Sequence, residues 1–397
     1  MLAESFRFGI SLGIFRESAR QGIQEPCYSG ANNEIERDNV RGSVLILAPN
    51  VYRDALPDLN REFGMVYFGD TSVRPVRAVL TGAGVPIPDN ILELYPEISF
   101  ISIAGASVKK YNVRDLISRG VVVHSASAAY ADAVAEFQVM QAIMGLRKAI
   151  LGHEVMRAGG WGFAQSSFCY ELIWRFLFTL SRVSLIKYLK TLFPARWEQL
   201  REAHMPAARP AMRSLKGITV GMLGFGHITK KGIEKFTALG AKVIVHSKYA
   251  DNKLLTVFGA EPGGFADVMR SDVVLINRGL SSRTEGSIGA TELNMLKPHA
   301  VFINSSRGKI VDENALIARA ARGDITVCLD VFAEEPLSSK NPLRQMRNVF
   351  LTPHIAGSTR EMCEEARAES VRAVVEYLRE GSVNGSITTV EQYENMT

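Results

Sequence analysis

Six short apolar runs between residues 218 and 351 constrain the fold of this 397-residue chain more than any other feature. Each run has the length of a buried strand, and helical segments separate several of them. One such segment begins at Asp312 and is followed by Gly323, residue types that are typical of a helix start and a helix end. Strands that alternate with helices predict a doubly wound parallel sheet of the kind that binds dinucleotides. The runs are Ile218–Leu223, Val243–His246, Val273–Ile276, Val301–Ile303, Ile325–Leu329 and Val349–Leu351.

A shorter series of apolar runs comes earlier in the chain and predicts another parallel sheet. A helix is expected from Asn112 to Arg119, because Gly120 follows it where helices often end. A long helix is expected from Tyr130 to Ile150, between the two series of strands. The earlier runs are Val44–Ala48, Ala78–Leu80, Phe100–Ile103 and Val121–Val123.

The end of the chain is expected to return to the first sheet. Thr359 to Glu380 has apolar positions at helical spacing, and Ile387 to Val390 has the composition of a short strand. The fold class is therefore α/β, with two Rossmann-like or flavodoxin-like domains, each with a parallel sheet, and the first domain completed by the C-terminus. We expect an N-terminal extension at 1–41, a substrate domain at 42–127 and 357–397, and a dinucleotide-binding domain at 128–356.

Residues 163–215 do not fit this plan, because they are long for a connection between a helix and a strand. Apolar residues from Phe168 to Val183 recur at nearly helical spacing, so an added amphipathic helix is expected. Three interpretations remain open: a partner-binding surface, a tolerated insertion, and translated non-coding sequence. The last two are favoured.

Composition excludes several classes of function. The net charge of +5 comes from dispersed basic residues, which does not indicate a nucleic-acid partner. The four cysteines form no CxxC pair, so we expect free thiols in a cytoplasmic protein and neither a disulfide framework nor a metal site. The most apolar stretch, Phe168 to Phe193, is interrupted by charged residues, so no membrane span is expected.

A glycine-rich turn follows the first of the six strands. The segment Gly224-Phe225-Gly226-His227-Ile228-Thr229 opens a helix, and its two glycines suit the close approach of a pyrophosphate to the helix N-terminus. Such a turn can be purely structural, but its position favours cofactor binding. Thr229 replaces the third glycine of the usual pattern, and its bulk is expected to shift the helix or weaken binding.

The next strand ends in Ser247 and Lys248, where NAD-specific folds usually have an acid for the ribose hydroxyls. A hydroxyl and a cation suit a 2′-phosphate, so the sequence favours NADP(H), with NAD(H) possible. A solvated lysine without a role is the alternative.

Three polar residues follow the last three strands. Arg307 could grip a carboxylate with two parallel hydrogen bonds, and His354 could exchange a proton near neutral pH. Glu335 could orient the imidazole and favour its protonated form. Each residue alone has an ordinary explanation: a surface salt bridge, a structural histidine, a solvated loop carboxylate. Their order behind a dinucleotide turn is far more specific.

These segments, Asn304 to Gly308, Asp330 to Pro336 and Thr352 to His354, resemble those of the D-isomer-specific 2-hydroxyacid dehydrogenase family. The resemblance runs from about Val44 to Val390, apart from the insertion. It implies that Arg307 binds the substrate carboxylate and keto oxygen, that Glu335 pairs with the histidine, and that His354 is the proton donor. It also implies a homodimer built on the Tyr130–Ile150 helix.

The resemblance extends to two binding elements. It implies that Asp330 helps to place the nicotinamide carboxamide, and that the loop Ala104-Gly105-Ala106-Ser107-Val108 receives the substrate carboxylate, through Ala106 and Ser107. There are also departures from the family pattern. Ser107 stands where the family commonly has glycine, Lys109 and Asn112 where it has aspartates, and Asn277-Arg278-Gly279 where it has a proline-containing loop.

The expected function is therefore NAD(P)H-dependent reduction of a small 2-keto acid, with glyoxylate or hydroxypyruvate as the substrate suggested by the resemblance. An alternative is a non-catalytic, NAD(H)-binding interaction protein, because carboxy-terminal-binding corepressors share the fold and the same three polar residues. An inactive product is a third possibility, if the insertion at 163–215 blocks folding.

Overall fold

The structure, a computed structural model, describes residues 43–52, 59, 62–68, 75–108, 111–157, 212–248, 250 and 252–396. The predicted extension at 1–41 and nearly all of the predicted insertion at 163–215 lie outside the described residues, as does Lys109.

The first sheet has five parallel strands in the order β2-β1-β3-β4-β5. The four predicted runs form β1, β3, β4 and β5, because their side chains are almost all buried. The edge strand β2 was not predicted, since only two of its four residues are buried and its pattern carries little signal. The bounds are β1 Ser43–Ile46, β2 Gly64–Tyr67, β3 Val76–Gly82, β4 Phe100–Ala104 and β5 Val122–Ser125.

The second sheet has seven parallel strands in the order β12-β11-β10-β9-β6-β7-β8. The six predicted strands are all present, and the additional strand β8 is a two-residue edge strand beside β7. The bounds are β6 Thr219–Leu223, β7 Lys242–His246, β8 Glu261–Pro262, β9 Val273–Ile276, β10 Val301–Asn304, β11 Thr326–Leu329 and β12 Val349–Leu351.

Helices cover both sheets and give each a buried core on its two faces. Short 3-10 turns occur at Ala128–Tyr130, Gly308–Ile310 and Pro342–Gln345. In chain order the described α-helices are α1 Ile91–Leu94, α2 Val113–Ser118, α3 Ala131–Leu146, α4 Ala149–Arg157, α5 His227–Ala238, α6 Asn252–Val257, α7 Phe265–Met269, α8 Ala290–Leu293, α9 Glu313–Ala320, α10 Arg360–Glu380 and α11 Val390–Met396.

The C-terminal helix α10 returns to the first sheet, as predicted. The Tyr377 ring stacks on Phe100 of β4 with ring centroids 4.3 Å apart, and Ala366 and Val374 lie in the same buried cluster. The helix begins at the cap Thr359, whose hydroxyl accepts from the Met362 N–H. The first sheet is therefore completed by the chain's last long helix.

Two local predictions are wrong. The long helix expected over Tyr130–Ile150 is two helices, α3 and α4, because Lys148 adopts a left-handed conformation with φ 52° that interrupts the helix. The expected strand Ile387–Val390 is a single antiparallel bridge from Ile387 to Val123, and α11 starts at Val390.

The strand order of the second sheet creates a topological switch point. Strand β6 has β7 on one side and β9 on the other, so connections leave it in opposite directions. In open α/β sheets a crevice forms at such a point, outside the carboxyl ends of the strands. The predicted glycine turn and the three predicted polar residues all follow the carboxyl ends of strands in this sheet.

No helix among the described residues is both long enough and apolar enough to cross a bilayer.

Candidate active site

Three adjacent strands bring the predicted polar residues to one edge of the sheet. Leu329 of β11 pairs with Asn304 of β10 and with Leu351 of β12, so the three strands end at the same level. The segments that carry Arg307, Glu335 and His354 leave from these ends. The convergence follows from the parallel register, because the carboxyl ends of parallel strands meet at one edge.

His354 and Glu335 form a hydrogen-bonded pair. The imidazole Nδ1 lies 2.8 Å from Glu335 Oε2, and the other carboxylate oxygen accepts from the Phe332 N–H at 3.1 Å. Because a carboxylate only accepts, Nδ1 carries the proton and Nε2 remains for another partner. The His354 side chain is 52% exposed, so a substrate can reach it.

Asp330 holds the backbone of the histidine segment. Its carboxylate accepts from Thr352 Oγ1 at 2.6 Å, from the Ile355 N–H at 2.8 Å and from the Ala356 N–H at 2.9 Å. These bonds stabilise the turn in which His354 has φ 56°, a conformation that non-glycine residues rarely adopt. Asp330 is fully buried, so its observed contacts are with this turn, and its contact with a nicotinamide carboxamide stays a prediction.

The Arg307 loop packs directly against the Glu335 loop. A Cβ at Gly308 would lie 1.9 Å from the carbonyl carbon of Phe332, so only glycine fits there. Asn304 fixes the loop by donating to the Arg307 carbonyl at 3.0 Å. Burial lowers the pKa of Arg307, and the charge of Glu335 opposes that shift. The guanidinium therefore stays charged and electrostatically coupled to the acid–histidine pair.

Tyr130 connects this edge to the first sheet. Its hydroxyl donates to the Ala104 carbonyl at 3.4 Å, and a Cβ at Gly357 would lie 3.0 Å from its Cδ1. The predicted carboxylate loop follows β4 at Ala104, with Ala106 exposed and Ser107 partly buried. This loop and the histidine segment are therefore held by the same tyrosine, which sequence reasoning did not identify.

The predicted glycine turn lies at the switch point. Gly224 has φ 103°, and a Cβ there would lie 2.4 Å from the Asn277 carbonyl oxygen, so the position requires glycine. A Cβ at Gly226 would meet no protein atom within 4 Å, which leaves open space above the start of α5. No side chain caps this helix, so its first N–H groups can bind an anion.

Thr229, whose bulk was expected to shift the helix or weaken binding, packs in the first turn of α5. Its side chain is fully buried, and its hydroxyl donates to the Gly224 carbonyl at 3.0 Å. Next to it, burial lowers the pKa of His227, and the charge of Lys230 adds to this shift. The first turn of α5 therefore presents a neutral imidazole beside its N–H groups, with Phe225 and Ile228 flanking it in the segment.

The end of β7 lies beside the glycine turn, because the Gly224 N–H donates to the His246 carbonyl at 2.9 Å. Ser247 and Lys248 follow; Ser247 is partly buried and Lys248 is exposed. No acidic residue occupies these two positions. The open space at Gly226, the uncapped helix and this strand end fit the pyrophosphate and adenosine ribose of a nicotinamide dinucleotide.

Sequence reasoning missed other residues that support the site. Glu313, in the first turn of α9, accepts from the Ala333 N–H at 3.2 Å and from Asn341 Nδ2 at 2.7 Å, so it fixes the loop that carries Glu335. Gln138 of α3 donates to Asn277 Oδ1 at 2.7 Å, below the glycine turn. Neither residue is part of a recognisable pattern, because each acts through a partner that is distant in the sequence.

The fold and the site together define an α/β protein of the dinucleotide-binding type, with a histidine–glutamate pair at the carboxyl edge of its second sheet. Comparisons with known proteins also point to a dinucleotide-binding fold. Residues 183–356 match the family model for the D-isomer-specific 2-hydroxyacid dehydrogenase NAD binding domain. A glyoxylate reductase of Paecilomyes thermophila shares the fold, with a TM-score of 0.65, 21% identity and coverage of 88% of this chain and 99% of that one.

Two relatives are similar in sequence. A glyoxylate reductase of Aeropyrum pernix is 38% identical over 167 residues, which are 42% of this chain and 50% of that protein. A glyoxylate reductase of Thermococcus litoralis is 28% identical over 301 residues, 75% of this chain and 79% of that protein. The match therefore spans half of the first relative's length and more than three quarters of the second's.

Residues 183–356 are therefore similar to the NAD binding domain of the D-isomer-specific 2-hydroxyacid dehydrogenases. Both of these relatives are named as reductases.

Proposed function

We propose that this protein transfers hydride between a nicotinamide dinucleotide and the carbonyl carbon of a small 2-keto acid, which becomes a D-2-hydroxy acid. The observation that supports this most is the contact between His354 Nδ1 and Glu335 Oε2 at 2.8 Å. It leaves Nε2 available for the proton that is transferred, and the charged Arg307 follows another strand of the same dinucleotide-binding sheet. That combination suits reduction of a carbonyl next to a carboxylate.

Each residue has a separate role in the proposed reaction. The bound dinucleotide supplies the hydride that reaches the keto carbon. Protonated His354 donates its Nε2 proton to the developing alkoxide, while Glu335 stabilises the imidazolium and keeps its ring oriented. Arg307 binds the substrate carboxylate with two hydrogen bonds and polarises the keto oxygen. Ala106 and Ser107 offer further hydrogen bonds to the carboxylate.

Glyoxylate or hydroxypyruvate is the substrate that we propose. The names of the Aeropyrum and Thermococcus relatives support glyoxylate. For the cofactor we propose NADP(H) over NAD(H), because Ser247 and Lys248 stand at the end of β7 in place of an acid. Asp330 then acts behind the nicotinamide, where it holds the histidine turn.

We also propose that the active form is a cytoplasmic homodimer with α3 in its interface. Met140 and Ile143 on this helix are 37% and 41% exposed, which is unusual for large apolar side chains on a helix that also packs on a sheet. The domain boundaries at 42–127 with 357–397 and at 128–356 belong to the same proposal. Light scattering on the purified chain tests the subunit number.

The decisive test measures oxidation of NADPH and of NADH by the purified full-length chain with glyoxylate, hydroxypyruvate and pyruvate. We expect turnover with at least one of these acids, and a higher kcat/KM with NADPH than with NADH. Absence of oxidation with every acid, in a preparation that binds the dinucleotide, would contradict the proposed function and favour the interaction protein. A preference for NADH would contradict only the cofactor assignment.

A further inference from the structure

Arg278 stands at the switch point of the second sheet, directly after β9 and Asn277. The Cβ that Gly224 lacks would lie 3.2 Å from the Arg278 backbone nitrogen, so this residue borders the glycine turn. Ser306 Oγ donates to the Arg278 carbonyl at 2.5 Å and fixes its backbone. The position of Arg278 is therefore set by elements on both sides of the crevice.

The guanidinium of Arg278 reaches towards the end of β7. Its central carbon lies 5.4 Å from the centroid of the Phe265 ring, a cation–π contact. Phe265 in turn meets His246 edge to face, with centroids 6.0 Å apart and an interplanar angle of 86°. Arg278 is thus one aromatic ring away from His246, the residue that precedes Ser247 and Lys248.

The charge of Arg278 has no acidic partner among the residues that the structure describes. Two other arginines that are at least partly buried do have one: Arg213 pairs with Asp272 at 2.6 Å, and Arg319 pairs with Asp324. Burial lowers the pKa of Arg278, and no neighbouring carboxylate opposes the shift. A partly buried cation without a counter-charge is costly, which indicates that an anion completes the site.

We infer that Arg278 binds the 2′-phosphate of the adenosine half of the cofactor, together with Ser247 and Lys248. This inference rests on the proposed function. In the proposed binding mode the N-terminus of α5 binds the pyrophosphate, so the 2′-phosphate of the ribose is the remaining anionic group. A guanidinium can form two parallel hydrogen bonds to a phosphate, and Phe265 holds it in the required orientation.

Adenosine fragments separate this role from other contacts without any need for turnover. Calorimetry measures binding of 2′,5′-ADP, ADP and AMP to the full-length protein, to Arg278→Met and to the control Arg283→Met. Arg283 lies on the same loop but is exposed, so the control removes the same charge from a neighbouring position. We expect Arg278→Met to weaken 2′,5′-ADP binding by about tenfold or more, and to change ADP and AMP binding by less than about twofold.

Other results would overturn the inference. A loss confined to ADP places Arg278 on the pyrophosphate. Equal losses for all three ligands place it on the adenosine or the 5′-phosphate that they share. Unchanged 2′,5′-ADP binding in Arg278→Met, or a similar loss in Arg283→Met, would show that Arg278 has no specific role at the 2′-phosphate. Arg278→Lys keeps the positive charge but cannot form two parallel hydrogen bonds to one phosphate, so we expect intermediate affinity for 2′,5′-ADP. This variant replaces Arg278→Met in the test if Arg278→Met fails to fold. Keto-acid turnover in the wild type tests the proposed function independently of these affinities.

Discussion

Two histidine–glutamate pairs occur among the residues that the structure describes, and they differ in exposure and in the distance between partners. His354 and Glu335 are in contact at 2.8 Å, with side chains 52% and 38% exposed. His124 and Glu369 are 3.7 Å apart, with side chains 6% and 20% exposed. The first pair lies at the open edge of the second sheet, and the second lies between β5 and α10 of the first sheet.

Burial separates the two pairs. It lowers the pKa of His124 to about 4, and it raises the pKa of Glu369. Both shifts favour the neutral forms, so His124 acts as a hydrogen-bonding group, with Nδ1 3.0 Å from Ser102 Oγ. The same two residue types are therefore neutral hydrogen-bonding groups where water is excluded, whereas the exposed pair is available for the proton transfer that we propose.

The largest effect is expected for His354→Gln, which removes the proton donor but preserves side-chain bulk. A positioned general acid contributes about 10²–10⁴-fold to a rate, so kcat should fall by roughly that factor while NADPH affinity stays nearly constant. Steady-state kinetics and dinucleotide titration measure both quantities. His124→Gln is the matched control, and its kcat should remain within about twofold of the wild type at neutral pH. An equal loss in both variants would contradict the distinction between the pairs.

The second effect concerns stability below neutral pH. Because the pKa of His124 falls from 6.5 to about 4 on folding, the unfolded chain binds a proton that the folded chain rejects in this range. Stability from this histidine is complete above pH 6.5 and is lost as pH falls towards 4, by an amount on the order of 3 kcal/mol. The raised pKa of Glu369 acts in the opposite direction and reduces the net loss.

Urea unfolding at several pH values isolates the histidine contribution. The free energy of unfolding of His124→Gln should decline less steeply from pH 6.5 to 4 than that of the wild type. Parallel curves for the wild type and His124→Gln would show that the buried ring does not titrate as proposed.

The smallest effect is expected for Glu335→Gln. The amide can still accept from His354 Nδ1, so ring orientation is mostly preserved, but the negative charge that favours the imidazolium is lost. We expect kcat for keto-acid reduction to fall by about tenfold. Steady-state kinetics at saturating dinucleotide measures this loss. A kcat within about twofold of the wild type would show that the charge of Glu335 does not assist the reaction.

Much of the fold and site could be predicted because the relevant signals are local. The six apolar runs of the second sheet became strands β6, β7 and β9–β12 without exception. Arg307, Glu335 and His354 follow strand ends, and parallel register alone brings such ends together. Edge strands β2 and β8 escaped prediction, because strands with little buried apolar surface leave a weak pattern.

The sequence by itself determined the alternation of strands and helices, the glycine at Gly224 and the residue types available for proton transfer, since backbone conformation and hydrophobic periodicity are properties of neighbouring residues. Only the tertiary structure decided that Asp330 holds the histidine turn, that Tyr130 joins the two sheets and that Arg278 lies over Phe265 without an acid partner. These outcomes depend on contacts between residues far apart in the chain. Burial in the folded state, rather than residue type, then decided that His124 stays neutral and that the His354 side chain remains exposed.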